Sequence, residues 1–96
     1  MSKVAHKEDV MARFIGDTSK FNDVQVVYDD GEFVIAKGVW DGKHDGVGVR
    51  WAGDGIGYPQ TFGKPQWMIL PDNIGAMILV VLNTLSIVKN IVPTVP

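Results

Sequence analysis

The sequence predicts an α+β fold: a short N-terminal helix, a three- to four-stranded antiparallel sheet, and a long apolar C-terminal helix packed on that sheet. Three observations predict it. Runs of β-branched and aromatic residues fill residues 24–51 and are separated by Asp-Gly turns, as strands in a meander would be. The stretch Ile74–Val88 is apolar at helical spacing and opens with Pro71-Asp72. Helical periodicity lies at the two ends of the chain and strand periodicity between them, which separates helices from sheet.

The 96 residues suit one domain, 1–96, with 1–5 and 93–96 expected to be loose. A domain of this size buries only about 60–65% of its unfolded surface, so its own core is modest. The apolar fraction of 46% and charged fraction of 21% are those of a globular chain rather than a disordered one.

Lys7–Ile15 reads as a short helix, with Val10, Met11, Phe14 and Ile15 on one face and Gly16 to end it. Val24–Tyr28 is the first strand, and Asp30-Gly31 fits a two-residue hairpin loop. That register sets Tyr28 opposite Phe33 and Val26 opposite Ile35. Phe33–Trp40 is the return strand. Asp41–Gly46 is a second turn, and Val47–Trp51 is a third strand with Val47, Val49 and Trp51 on one face and Gly48 and Arg50 on the other. Ala52–Pro65 is a long glycine- and proline-rich loop, of a length that is uncommon without a function. Trp67–Leu70 is a fourth strand. The final helix starts at Pro71-Asp72 and ends near Asn90, before Pro93. An alternative makes 77–82 a strand, but the length of the segment and its Pro-Asp start favour a helix.

Composition removes several classes of function. There is no cysteine, hence no disulfide, thiolate nucleophile or thiolate metal site, which fits a reducing cytoplasm. The polar N-terminus has no signal-peptide core, and the apolar run ends at Leu82, short of the ~20 residues a membrane span needs. Net charge is −2, without the basic face a nucleic-acid binder needs. His6 and His44 are two isolated histidines where a zinc site needs three or four ligands. Gly53-Asp54-Gly55-Ile56-Gly57 runs into Tyr58-Pro59 rather than a helix N-terminus, so it is no phosphate cradle. The acids sit beside glycines in turns, where water solvates them. An enzyme is therefore not the favoured reading, and no cofactor, metal or catalytic residue is expected.

Three surfaces remain. Ile74, Met77, Ile78, Val81, Leu82, Leu85 and Val88 form one helical stripe, expected to lie on the sheet. Leu79, Val80 and Ile87 are apolar outside that stripe, so the helix wants a second partner; they are the expected interface of a homo-dimer or tetramer, with Leu70–Asp72 as a hinge for domain exchange. The alternative is a binding module in which Arg50, Tyr58, Gln60, Lys64 and Trp67 gather by the glycine-rich loop and take a small anion or a peptide. A further alternative is a heterologous partner read by the acids between Asp23 and Asp54, where Asp23, Asp29, Asp30, Glu32, Asp41, Asp45 and Asp54 outnumber Lys37, Lys43 and Arg50.

Gly48-Val49-Arg50-Trp51, Gly57-Tyr58-Pro59-Gln60 and Gly63-Lys64-Pro65-Gln66-Trp67-Met68-Ile69-Leu70-Pro71-Asp72 carry a resemblance. The chain is similar there to small bacterial proteins carried on mobile DNA (plasmids, prophages and integron cassettes) that share an Arg-Trp, a Gly-Tyr-Pro and a Gly-x-Pro-x-Trp-x-x-Leu-Pro pattern. The resemblance covers about a quarter of the chain and implies no activity. It implies that the loop and the Trp67–Asp72 junction form one structural unit.

Overall fold

A computed structural model of the chain describes residues 13–91. Strands β1 (Phe21–Asp29), β2 (Phe33–Trp40) and β3 (His44–Trp51) form an antiparallel meander. A small hairpin of β4 (Gln60–Thr61) and β5 (Lys64–Pro65) stands apart from it. Strand β6 (Met68–Ile69) returns beside β3, so the main sheet has the order β1-β2-β3-β6, and helix α1 (Asp72–Ile91) ends the described chain. The architecture is α+β with a four-stranded antiparallel sheet and a C-terminal helix, as expected. The N-terminal helix expected over Lys7–Ile15 lies largely outside the described residues, and Arg13–Ile15 carries no helical turn.

The first hairpin differs from its expected register. Tyr28 pairs with Ile35 and Val26 with Ala36, and β1 is bulged between Asn22 and Gln25 and between Val26 and Tyr28. The cause is local. Asp29 accepts from the Gly31 amide at 2.9 Å, and Asp30 accepts from the Glu32 and Phe33 amides at 2.9 and 2.8 Å. These side-chain turns lengthen the loop beyond Asp30-Gly31. At the other bulge, Asp17 accepts from the amides of Asp23 and Val24, which holds Asp23 at a φ of 53°. The β2–β3 loop is shorter than expected: Trp40 pairs with His44 across Asp41-Gly42-Lys43.

Both faces of the sheet are covered. On one, Phe21, Val34, Ala36, Ala52 and Trp67 form a core beneath the 52–67 loop and the segment 13–18. Phe21 lies flat on β2 and β3 because Gly38 and Gly48 carry no side chain; a Cβ there would stand 2.9 and 3.0 Å from its ring. On the other face Ile35, Val47 and Val49 meet Ile78, Leu79 and Leu82 of α1. The run Val34-Ile35-Ala36 is buried throughout, the pattern of a strand covered on two sides rather than one.

The face that α1 lays on the sheet is not the expected stripe. Gly75 sits over Val47, where a Cβ would come within 3.0 Å of its side chain. This close approach turns Gly75, Ile78, Leu79 and Leu82 towards the sheet. Ile74, Met77, Val81 and Leu85, expected against the sheet, are exposed instead.

Candidate functional site

The first candidate is the unit built round Arg50. Alternation along β3 points Arg50 and Gly48 to the loop-covered face, opposite Val47 and Val49. Arg50 is 1% exposed. Its Nη1 donates to the carbonyl of Pro59 at 3.1 Å and to that of Gln66, and its Nη2 donates to the carbonyl of Ile56. The rings of Phe14 and Trp67 lie 5.5 and 5.9 Å from the guanidinium carbon. Burial pulls its pKa below the usual value, but a guanidinium stays charged at physiological pH. The charge is met by carbonyl dipoles and ring faces, and among the described residues the ion pair that forms is Arg13 with Asp29, at 2.6 Å.

The loop is shaped to deliver those carbonyls. Trp51 and Tyr58 exchange backbone hydrogen bonds of 2.7 and 2.9 Å, which closes 52–57 into a tight turn. Gly57, at a φ of 72°, is required: a Cβ there would stand 2.1 Å from the Trp51 carbonyl oxygen and 2.8 Å from Arg50 Nη2. The Tyr58–Pro59 peptide is cis. Trp67 Nε1 donates to the Gly16 carbonyl at 2.8 Å, which ties the incoming segment to the loop.

The residues expected to form an anion or peptide site separate into two groups. Arg50 and Trp67 come together, buried beneath the loop. Tyr58, Gln60 and Lys64 lie exposed, Gln60 and Lys64 on the β4–β5 hairpin. Gln60 uses its Oε1 to accept the Gly63 amide at 3.0 Å. Both Nη groups of Arg50 serve carbonyls, and no surface holds all five residues. Sequence reasoning missed Phe14, Gly16 and Ile56 as Arg50 and Trp67 partners, since it read Phe14 and Gly16 as a helix face and its end and Ile56 as part of a glycine-rich turn.

The second candidate lies on the other face. A wholly apolar groove of about 350 Å³ runs along one flank of α1, between Ile35 of β2 and Ile74, Met77, Ile78, Val81 and Leu82 of the helix. Next to it the sheet exposes Trp51 and Met68, with Trp51 stacked on Phe33 at 4.8 Å between centroids. Of the residues expected at an interface, Leu79 is half-buried on the sheet and Val80 is 64% exposed, while the Ile87 side chain lies outside the described ones.

The opposite flank of α1 is mixed, with charged side chains beside Val39, Val47, Ala76 and Leu79. A concavity of about 490 Å³ there takes in Asp23, Gln25, Lys37, Asp45 and Asp72. Among the described residues no three of His, Cys, Asp and Glu come together as metal ligands. His44 stacks on Trp40 at 4.9 Å. No helix among the described residues is long and apolar enough to cross a membrane. No family model, curated protein or solved structure matches this chain, so its residues alone carry the functional reading.

Proposed function

We propose that this chain is a non-enzymatic protein that works as a homo-oligomer, self-associating through α1. The observation that carries the reading is the apolar surface on and beside the helix. Ile74, Met77, Val80, Val81 and Leu85 are 44–64% exposed, and Trp51 and Met68 on the adjoining sheet are 53% and 51% exposed. Together these residues expose on the order of 800 Å² of surface, about what each partner contributes to a standard-sized interface. Isolated apolar residues at a surface are ordinary; a contiguous patch of this size beside an apolar groove marks an interaction site.

Edge-to-edge strand pairing has less support as the route. β1, an outer strand, is bulged twice and carries Asp23 and Asp29, devices that blunt an edge. An anion site on Arg50 and Lys64 also has less support, because the Arg50 Nη groups are already engaged.

The test is absolute mass by light scattering after size exclusion, without detergent. The expected result is a multiple of the 10.5 kDa chain. Val81→Glu with Leu85→Glu, both at exposed positions, should return the mass to one chain while the far-ultraviolet spectrum is kept. A wild-type mass of one chain that does not rise with concentration overturns the proposal.

A further inference from the structure

We propose that the groove beside α1 is filled by the C-terminal half of α1 from a second copy, antiparallel to the first, about a two-fold axis close to Val81. This rests on the self-association reading and supplies its geometry.

The helix overshoots its own sheet. It begins on β3, where Gly75 meets Val47, passes Ile35 of β2 beside Ile78 and Leu82, and reaches β1, the outer strand. Leu82 is the last of its described side chains packed on the sheet, and Asn83–Ser86 are all exposed. Its 20 residues span about 30 Å, of which the first eleven, 72–82, cover about 16 Å. The remaining turns therefore extend past the sheet, and their sequence keeps Leu85, Ile87, Val88 and Ile91 apolar.

The sheet has room for them. Its strands of eight residues run about 26 Å, and a helix about 10 Å wide laid across them leaves both flanks open: the concavity that takes in Asp23, Lys37 and Asp45 on one, and the end of the sheet beyond the apolar groove on the other. That end, with Trp51 and Met68, lies beside the N-terminal half of α1, as the groove does. The unused part of the helix and the unfilled part of the sheet are at opposite ends of the element. An antiparallel pair fits each copy's overshoot into the other's groove, whereas a parallel pair would place the two overshoots together with no sheet beneath them.

The register follows from the exposed flank. Ile74, Met77, Val81 and Leu85 share one side of the helix. Pairing Val81 with its symmetry mate sets Met77 beside Leu85 of the second copy.

The chain has no cysteine, so engineered ones report cleanly. Val81→Cys should oxidise to a cross-linked dimer of twice 10.5 kDa, since residues on the axis meet within disulfide reach. A mixture of Met77→Cys and Leu85→Cys should cross-link several-fold more than either alone. The 77/85 mixture reads the register independently of Val81→Cys, and each reduced variant must keep the wild-type mass. If Met77→Cys and Leu85→Cys each pair with themselves, the helices are parallel and this arrangement is overturned while self-association stands. A dimer by mass with no cross-link in any arm overturns it likewise. A one-chain mass for the wild type overturns both readings.

Discussion

Replacing Arg50 tests whether its guanidinium holds the 52–67 loop on the sheet. Exchange of a buried ion pair for well-packed apolar residues is often neutral, but only when both partners go. Here the partners are the main-chain carbonyls of Ile56, Pro59 and Gln66, which no substitution removes. Arg50→Met keeps most of the volume, removes all three guanidinium bonds and takes their side-chain donor from the Ile56 and Gln66 carbonyls, while the Pro59 carbonyl keeps the Gln66 amide at 3.0 Å. A hydrogen bond to a charged group contributes about 1.5–3 kcal/mol. The three acceptor residues are half-buried and regain some water, and the guanidinium's desolvation penalty disappears. We expect a net loss of about 2–4 kcal/mol, a large share of the 5–10 kcal/mol on the order of which a domain this small is stable. The melting temperature should fall by upwards of about 10 °C. Arg50→Lys should fall nearly as far, because one ammonium cannot span a fan of three carbonyls served by two nitrogens. Urea titration gives the free energies, and limited proteolysis between Ala52 and Gln66 reads the loop. A loss under about 0.5 kcal/mol in Arg50→Met, below the loss of a single such bond, would refute the reasoning. Wild-type stability in Arg50→Lys would show that charge alone, not the fork, does the holding.

Two further perturbations have signs fixed by the structure. The Arg13 side chain and the Gly31 amide hold Asp29 below the usual carboxylate range, and the Phe33 and Glu32 amides do the same for Asp30. A depressed folded value means their stabilisation is complete above the unfolded value of about 3.9 and is lost as pH falls through the folded value. Urea midpoints followed from neutral to strongly acid pH should therefore drop less steeply in Asp29→Asn/Asp30→Asn than in wild type, and parallel curves would contradict this. Phe62 is fully exposed at the β4–β5 tip with a φ of 49°. Phe62→Asn should stabilise by about 0.5–1 kcal/mol, since asparagine tolerates the left-handed conformation that costs phenylalanine about 1–2 kcal/mol. A lower melting temperature in the variant would mean that Phe62 has a partner in the assembled protein.

The helix shows where sequence reading and structure part. That 72–91 would be helical follows from Pro71-Asp72 and the spacing that comes after it. Which side meets the sheet does not follow, because the segment is apolar nearly all round and its stripe has no polar boundary. Gly75 decides it, by letting the helix settle over Val47, and that contact joins residues 28 positions apart. The same holds for Arg50. Alternation along β3 places it opposite Val47 and Val49, but its surroundings come from Phe14, Ile56, Pro59, Gln66 and Trp67. Only the folded loop brings those together. One signal was present and readable: Phe33-Val34-Ile35-Ala36 has no polar alternation, and an unbroken apolar run in a meander implies a cover on both faces.

By itself, then, the sequence determined the α+β class, the meander, the alternation along β3, the fourth strand and the C-terminal helix. Those depend on propensity, periodicity and turn chemistry, which act between near neighbours. Tertiary structure decided that the long loop is a lid pinned by a buried arginine and that Ile74, Met77, Val81 and Leu85 are left facing outward. Those depend on close approach between distant segments. There, a missing side chain at Gly57 or Gly75 settles a close approach or a rotation by ångströms, and no local pattern records it.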